Sequence, residues 1–290
     1  MTLSYAQAPP GSGKLVFILG HPLGHSLSPA MQNAAFQKIG LPWLYVPLDI
    51  LPNRLKDVFP AMRILPLGGA NVTVPYKESV AAYLDWVEPE ARWLGSINTI
   101  YKKGKKLCGA STDGEGFLRS LGPLRKKLGG SRGLLVGAGG AARAVAGALA
   151  GSGVKEMGIA NRSPRRAEEL ARSLGRRYPG LQVEKLTLGE GEKYLTRCDW
   201  VIQATSVGLK KGDPSPLSLK AAASSAWAVD LIYHRQTEFL TEAKVRRLPT
   251  LDGREMLLQQ GALSFEKWTG RKAPLKVMRG VLLGRLASPR

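Results

Sequence analysis

The sequence predicts an α/β protein of two domains, an N-terminal α/β domain and a second domain of the Rossmann type. Apolar runs of strand length alternate with helical patterns along most of the chain, which is typical of βα units around a mainly parallel sheet. At 290 residues the chain exceeds the size of one average domain. A glycine-rich stretch that begins at Gly137 follows a strand pattern and opens a helix pattern, the order found in Rossmann-type folds.

The first series of elements begins with the apolar run 15–19, which Gly20 ends and which has the length of a buried strand. Helical spacing follows from Pro29, because proline is favoured in the first turn of a helix. The predicted elements are a strand 15–19, a helix 29–39, a strand 43–48, a helix 53–62 and a strand 70–74.

The second series begins with the apolar run 133–137, which an alanine-rich helix pattern follows. The predicted elements are a strand 133–137, a helix 141–150, a strand 157–160, a helix 164–174, strands 200–203 and 227–231, and helices 255–268 and 275–286. This alternation predicts a parallel sheet with helices on both faces.

Composition excludes several classes of protein. With 44% hydrophobic residues the chain is too apolar for intrinsic disorder, yet no stretch reaches the roughly 20 apolar residues of a membrane helix. Residues 1–13 are expected to form a loose tail rather than a secretory leader. Cys108 and Cys198 lie in apolar stretches, which favours buried thiols and a cytoplasmic location. No metal-ligand spacing is present, so no metal site is predicted.

The chain is strongly basic, with a formal net charge of +20. Such an excess favours anionic ligands or nucleic acid. The basic residues form short groups at predicted loops and helix ends, where a solvated surface is the simpler interpretation. No stacking motif or zinc-finger spacing accompanies them, so no nucleic-acid partner is predicted, and a basic nucleic-acid-binding protein remains the alternative from a different class.

The glycine-rich stretch has the features of a dinucleotide-binding turn. Gly137 permits the tight turn, Gly139 lets the backbone approach a pyrophosphate, and Ala142 is small enough for close helix packing. The N–H groups at the start of the following helix favour phosphate. A turn with only a structural role is the alternative interpretation.

The end of the next strand distinguishes the two nicotinamide dinucleotides. An NAD site usually has a carboxylate there for the ribose hydroxyls, whereas NADP requires positive charge for its extra phosphate. This chain has Asn161, Arg162 and Ser163 at that point, followed by Arg165 and Arg166, and no carboxylate. The pattern therefore predicts NADP, with a solvated arginine cluster as the alternative.

Polar residues in the first half suggest a site for an anionic substrate. Ser26 and Ser28 are two apart in a segment expected to be extended, so both can donate to one carboxylate. Helix capping by Ser28 before Pro29 is the competing interpretation. Lys77 is expected in the first turn of a helix started by Pro75. The helix dipole disfavours an ammonium there and tends to lower its pKa, which suits a lysine that acts as an acid or base.

Asp113 admits two interpretations. An aspartate before a glycine-rich helix start commonly caps that helix. If Asp113 instead faces Lys77, the pair holds an ammonium beside a substrate hydroxyl or ketone, as proton transfer requires.

Taken together and in order, the motifs resemble the shikimate dehydrogenase family, over about residues 14–268. The segments that carry the resemblance are 26–29 (SLSP), 71–77 (NVTVPYK), 95–99 (GSINT), 111–116 (STDGEG), 137–143 (GAGGAAR), 161–163 (NRS), 204–208 (ATSVG), 230–233 (DLIY) and 253–260 (GREMLLQQ). Each motif is weak alone, but their common order is specific. Gln203 departs from the asparagine usual before ATS, as do Ser111, Ser163 and His234 from their usual residues.

The resemblance implies reversible reduction of 3-dehydroshikimate to shikimate by NADPH, in aromatic amino-acid biosynthesis. It implies that Lys77 and Asp113 are the catalytic pair, and that Tyr233 lies near the substrate carboxylate. The implied substrate-binding residues are Ser26, Ser28, Thr73, Lys77, Asn98, Asp113, Tyr233 and Gln260. The implied cofactor-binding residues are Gly137, Ala138, Gly139, Gly140, Ala141, Asn161, Arg162, Ser163, Arg166, Thr205, Ser206 and Gly253.

The resemblance also implies a domain organisation. A tail 1–13 precedes a substrate-binding domain 14–112, an NADP-binding Rossmann domain 113–252 and C-terminal helices 253–290 that return to the substrate domain, with the active site in the cleft between the domains. Neither a membrane nor a nucleic acid is an expected partner, and the protein is expected to be a monomer or homodimer. A quinate/shikimate dehydrogenase, or a related two-domain enzyme acting on folate or an amino acid, remains an alternative.

Overall fold

The computed structural model describes residues 13–24 and 26–287. The predicted tail therefore lies outside the described residues, apart from Gly13. The chain divides into two compact units. Unit 1 comprises the residues up to Thr112 together with those from Leu258 onward, and unit 2 comprises Asp113–Leu257.

The strands of the described chain form two six-stranded sheets, one in each unit. The strands of unit 1 are β1 (Lys14–Gly20), β2 (Trp43–Asp49), β3 (Leu67–Val72), β4 (Trp86–Val87), β5 (Thr99–Lys103) and β6 (Lys106–Ala110). The strands of unit 2 are β7 (Arg132–Val136), β8 (Glu156–Ala160), β9 (Gln182–Leu186), β10 (Trp200–Gln203), β11 (Trp227–Asp230) and β12 (Thr250–Leu251).

The helices follow the predicted alternation in the long elements and add several short ones. They are α1 (Ser28–Lys38), α2 (Leu55–Ile64), α3 (Pro89–Leu94), α4 (Asp113–Ser120), α5 (Gly140–Gly151), α6 (Pro164–Arg177), α7 (Leu188–Tyr194), α8 (Glu238–Val245), α9 (Arg254–Thr269) and α10 (Leu275–Ala287). Helix α9 contains the second division between the units, after Leu257.

Unit 1 has a mixed sheet with the strand order β2-β1-β3-β5-β6-β4. Strands β2 and β3 flank β1 in parallel, whereas β5 runs antiparallel to both β3 and β6. Helix α9 packs on this sheet, and the Trp268 indole nitrogen donates to the Ile100 carbonyl of β5 at 2.9 Å. A Cβ at Gly69 would come within 2.3 Å of the same indole, so the glycine makes room for the ring.

Unit 2 has an entirely parallel sheet with the strand order β12-β11-β10-β7-β8-β9. Read from the other edge, this is the 3-2-1-4-5-6 order of the Rossmann fold. The order reverses between β7 and β10, which are adjacent and parallel. Ligands in such sheets bind outside the carboxyl ends of the strands at this point. The predicted two-domain α/β class with a Rossmann-type sheet is confirmed.

Candidate functional site

The turn from β7 into α5 has the shape that a dinucleotide phosphate needs. Gly137 has φ +117°, a conformation that suits glycine, and a Cβ there would meet the Ala204 carbonyl oxygen at 3.0 Å. Gly139 is the N-cap residue of α5, and a Cβ built on it meets nothing within 4 Å. The first glycine thus brings this turn against the loop after β10, and the second leaves the backbone accessible.

The N-terminus of α5 is suited to an anion. No side chain caps it, and its first turn contains no acidic residue. The first N–H groups of a helix lack partners within the helix, and here these belong to residues 139–142. Residues Gly137, Ala138, Gly139, Gly140 and Ala141 therefore fit the pyrophosphate of a dinucleotide.

The loop after β8 supplies positive charge. Arg162 is exposed, and within the described part of the chain it forms no ion pair with a carboxylate. Arg165, three residues later, pairs with Glu169 at 2.9 Å. The Asn161 amide nitrogen donates to the Ser163 carbonyl at 3.0 Å and thereby closes the loop around Arg162. A guanidinium without a protein carboxylate suits the additional phosphate of NADP.

Gln203, at the end of β10, shapes the loop that contacts Gly137. Its side chain is fully buried, donates to the Val207 carbonyl at 2.7 Å and accepts from the Thr205 N–H at 2.5 Å. The Thr205 methyl lies 3.2 Å from where a Cβ of Gly137 would be. From the sequence, Gln203 was noted only as a departure from the family pattern. In the structure its side chain holds this loop in place through hydrogen bonds to Thr205 and Val207.

The loop after β11 is held by a buried carboxylate. Asp230 is fully buried, accepts from the Thr237 hydroxyl at 2.6 Å and from the Ile232 N–H at 2.9 Å. Burial raises the pKa of Asp230 to about 6, against the lowering effect of these two hydrogen bonds. The two contacts fix both ends of the segment that carries Tyr233.

Gly253 approaches that same loop closely. A Cβ on Gly253 would lie 2.1 Å from the Leu231 carbonyl oxygen, a distance that no side chain tolerates. The Gly253 N–H donates to the Ile232 carbonyl at 3.1 Å. The backbone at residue 253 is therefore glycine-specific because of packing.

In unit 1 the helix-capping interpretation of Ser28 is wrong. Helix α1 begins at Ser28 itself, its N-cap residue is Leu27, and no side chain caps it. Pro29 falls one position later than predicted, because the Met31 N–H already bonds to the Leu27 carbonyl. The prediction that Ser26 and Ser28 lie in an extended segment is wrong as well, because Leu27 has helical backbone angles and Ser28 is already in the helix. Ser28 is buried and Ser26 is half-buried.

The predicted helix that starts at Pro75 and has Lys77 in its first turn is also wrong. The chain turns repeatedly over 74–79 and enters a short 3-10 helix, Val80–Tyr83, only afterwards. Two tertiary contacts replace the helical bonds: the Ile97 N–H donates to the Lys77 carbonyl at 2.8 Å, and the hydroxyl of buried Tyr76 donates to the Ile50 carbonyl. Lys77 is half-buried on this turn, so the helix-dipole argument for it does not apply.

Asn98 and Gln260 are brought into direct contact. The Asn98 amide nitrogen donates to the Gln260 carboxamide oxygen at 3.2 Å, although the residues are 162 positions apart. Thr112 joins them, since its hydroxyl donates to the Gln260 carbonyl at 3.0 Å and accepts from the Asn98 amide at 2.8 Å. Thr112 was not predicted as a site residue; its place directly before Asp113 was the only signal.

Asp113 is buried and is the first residue of α4. A carboxylate is favoured in this position by the helix dipole. Thr73 lies in the turn that leads to Lys77, and its N–H donates to the Leu19 carbonyl at 2.8 Å. The Tyr233 ring packs edge-on against His234.

The described residues form neither a metal centre nor a membrane-spanning helix. No group of three or more His, Cys, Asp or Glu side chains there is placed to hold a metal ion. None of the helices in that part of the chain combines the length and the apolar character needed to span a lipid bilayer.

Comparison with known families gives three consecutive matches along the chain. Residues 18–100 match the shikimate dehydrogenase substrate binding domain, and residues 123–230 match shikimate / quinate 5-dehydrogenase. Residues 253–283 match the shikimate 5'-dehydrogenase C-terminal domain.

Individual proteins match over nearly the full length. A shikimate dehydrogenase (NADP(+)) of Moorella thermoacetica is 43% identical over 271 residues, which is 92% of each chain. A protein of the same name from Bacillus subtilis is 40% identical over 94% of this chain and 98% of its own. The crystal structure of shikimate 5-dehydrogenase from Thermus thermophilus, in complex with NADP(H) and shikimate, superposes with a TM-score of 0.83 at 38% identity, over 94% of this chain and 99% of that one.

Proposed function

This chain belongs to the shikimate dehydrogenase family, and we propose that it catalyses the reversible, NADP-dependent reduction of 3-dehydroshikimate to shikimate. The observation that carries the proposal is the agreement between family membership and an Arg162 loop without a competing carboxylate. The reaction belongs to aromatic amino-acid biosynthesis.

Unit 2 provides the residues for NADP. The α5 N-terminus and residues 137–141 bind the pyrophosphate, while Asn161, Arg162, Ser163 and Arg166 bind the 2′-phosphate side. Thr205 and Ser206 line the neighbouring loop, and Gly253 lies near the nicotinamide. The support for this assignment is the uncapped helix, the exposed Arg162 and the close approach of Gly137 to the loop after β10.

Unit 1 provides most of the substrate site. Ser26 and Ser28 bind the carboxylate, to which we also assign Tyr233, whereas Thr73, Asn98 and Gln260 bind ring oxygens. Two observations support this arrangement: Ser28 does not cap α1, and Asn98 forms a direct hydrogen bond with Gln260.

NADPH, when bound, supplies the hydride that reduces the ring ketone. Lys77 donates a proton to the oxygen on which negative charge develops, and it recovers that proton from the hydroxyl in the oxidative direction. Asp113 orients the Lys77 ammonium. The remaining polar residues hold the ring in place, which lowers the entropy lost on reaching the transition state.

The location and assembly state are part of the same proposal. Free, buried thiols at Cys108 and Cys198 support a reducing compartment, the cytoplasm. We place the protein there as a monomer or homodimer. Its excess positive charge would concentrate anionic substrate and cofactor around it.

A steady-state assay that crosses shikimate and quinate with NADP and NAD tests the function. We expect turnover of shikimate with NADP, and lower kcat/KM for each of the other three combinations. Higher kcat/KM for quinate, or for NAD, would replace the proposal with a quinate dehydrogenase or an NAD enzyme. No turnover in any combination would contradict it.

A further inference from the structure

The loop 204–213, which follows β10 and is called the cofactor loop below, has a fixed backbone around Leu209. One oxygen of the Asp213 carboxylate accepts from the Gly208 N–H at 2.9 Å and from the Lys210 N–H at 3.0 Å. Between these two residues, the Leu209 N–H donates to the Ser206 carbonyl at 3.3 Å. The backbone at Leu209 is therefore tied to Ser206, one of the two residues of this loop that we assign to the cofactor.

The segment 231–237, which follows β11 and is called the tyrosine segment below, packs directly on the cofactor loop. Gly208 has φ +104°, a conformation that suits glycine. A Cβ on Gly208 would lie 2.9 Å from the Thr237 methyl and 3.1 Å from the Ile232 δ-methyl. Thr237 and Ile232 are the two residues that the Asp230 carboxylate holds. The cofactor loop thus contacts the tyrosine segment at both of its fixed positions.

The side chain of His234 adds a hydrogen bond between the two. Its Nε2 lies 3.1 Å from the Leu209 carbonyl oxygen. Because a carbonyl oxygen only accepts, Nε2 must carry a proton and donate it to Leu209. The half-buried His234 ring also meets the Tyr233 ring edge-on, with 5.7 Å between the centroids. This bond ties the middle of the tyrosine segment, next to Tyr233, to the cofactor loop.

These contacts form one continuous path within unit 2. Ser206 accepts from the Leu209 N–H, and the Leu209 carbonyl accepts from His234 beside Tyr233. A ligand that holds Ser206 restricts Leu209 and, through its carbonyl, His234. A segment that is already held loses less freedom when a second ligand binds, so that ligand binds more tightly. Such a coupling between two ligands is reciprocal.

We propose that His234 is a positioning residue that links the cofactor loop to Tyr233, so that NADP and shikimate each strengthen the binding of the other. The inference rests on the proposed function, which assigns Ser206 to the cofactor and Tyr233 to the substrate. The coupling depends on a single neutral hydrogen bond, which limits the mutual enhancement to about fivefold.

Titration calorimetry on the full-length protein tests the coupling without turnover. Shikimate and NADPH are both the reduced partners of the reaction, so they do not react with each other. The wild type should bind shikimate about fivefold more tightly when NADPH is saturating than when NADPH is absent. It should also bind NADPH about fivefold more tightly when shikimate is saturating.

Two variants separate the hydrogen bond from the packing of the ring. His234→Phe keeps a planar ring beside Tyr233 and removes the donor, so both enhancements should disappear. His234→Gln removes the ring and keeps an N–H donor on a side chain of similar reach, so most of the enhancement should remain. Gln236→Leu is the matched control: it removes a hydrogen bond of the same segment to the Thr241 hydroxyl of α8, at 3.2 Å, and should leave the enhancement unchanged.

The results distinguish the inference from the proposed function. A wild type without enhancement, or equal enhancement in His234→Phe and His234→Gln, would overturn the inference and leave the proposed function intact. If the phenylalanine variant does not fold, His234→Leu takes its place in the same comparison. A wild-type protein that does not turn over shikimate with NADP would contradict the proposed function and the inference with it.

Discussion

Asn98 holds Thr112 through both ends of its amide, donating to the threonine hydroxyl and accepting from its N–H, each at 2.8 Å. Both residues are almost fully buried. The residue that precedes Asp113 is therefore fixed by the same side chain that we assign to a ring oxygen of the substrate.

Asn98→Ala removes both contacts and leaves the Thr112 N–H buried without its acceptor. We expect the free energy of unfolding to fall by about 1–3 kcal/mol, the usual effect of such a deletion, and the KM for shikimate to rise. Urea unfolding and steady-state kinetics measure the two effects. A stability loss with no change in KM would limit Asn98 to a structural role.

Arg162→Asp tests the cofactor preference. The substitution places a carboxylate where the 2′-phosphate of NADP would bind, so the KM for NADPH should rise at least tenfold more than the KM for NADH, about 1.4 kcal/mol of discrimination. Arg165→Asp is the matched control, since Arg165 pairs with Glu169 on the same helix. Equal effects of Arg162→Asp on both cofactors would remove Arg162 from the assignment.

Gly253→Ala tests the close packing of the Gly253 backbone. A Cβ there would lie 2.1 Å from the Leu231 carbonyl oxygen, so the free energy of unfolding should fall by about 1–3 kcal/mol or more. The same substitution at Gly175, exposed within α6 and open to solvent, should stabilise the protein by about 0.5–1 kcal/mol. Calorimetry should therefore show shifts of opposite sign, and two similar shifts would count against the packing argument.

The buried Asp230 predicts a pH dependence of stability. Its pKa is raised to about 6 in the folded protein, so between about pH 4 and pH 6 the folded state binds more protons than the unfolded state. The stabilisation of the folded state by Asp230 is on the order of 3 kcal/mol. It is fully present below about pH 4 and is lost as the pH rises through about 6.

Asp230→Asn removes this titration. The stability of the wild type relative to the variant should fall as the pH rises from about 4 to about 6 and become constant above about 7. Urea unfolding of both proteins across this range measures the difference. A difference that does not depend on pH would show that Asp230 titrates normally.

The long elements were predictable because apolar periodicity specifies them directly. The runs 15–19 and 133–137 became β1 and β7 within a residue or two, and the glycine-rich turn indicated the Rossmann sheet. Several short elements, among them β4, β5, β6, β9 and β12, were not predicted. A lysine-rich turn joins β5 to β6, and the two strands show little apolar alternation. Their antiparallel pairing therefore depends on tertiary contacts and has no clear local signal.

One missed helix did have a sequence signal. Helix α7 begins with a complete capping box between Thr187 and Glu190, a spacing that can be recognised in the sequence. By contrast, nothing local predicts that Tyr76 becomes buried and prevents a helix at Lys77, nor that Ser264 links Asn71 to Thr99. These relationships depend on residues up to 193 positions apart. The candidate residues could be predicted, but the contacts that orient them could not.

The central claim is that Lys77 transfers the proton in a shikimate dehydrogenase reaction, and the turnover number of Lys77→Ala tests it most directly. We expect kcat to fall at least about a hundredfold, the usual scale for loss of a general acid or base, with little change in the KM for shikimate. Lys106→Ala, an exposed lysine on β6, should leave both values unchanged. A Lys77→Ala variant with kcat close to that of the wild type would contradict the account.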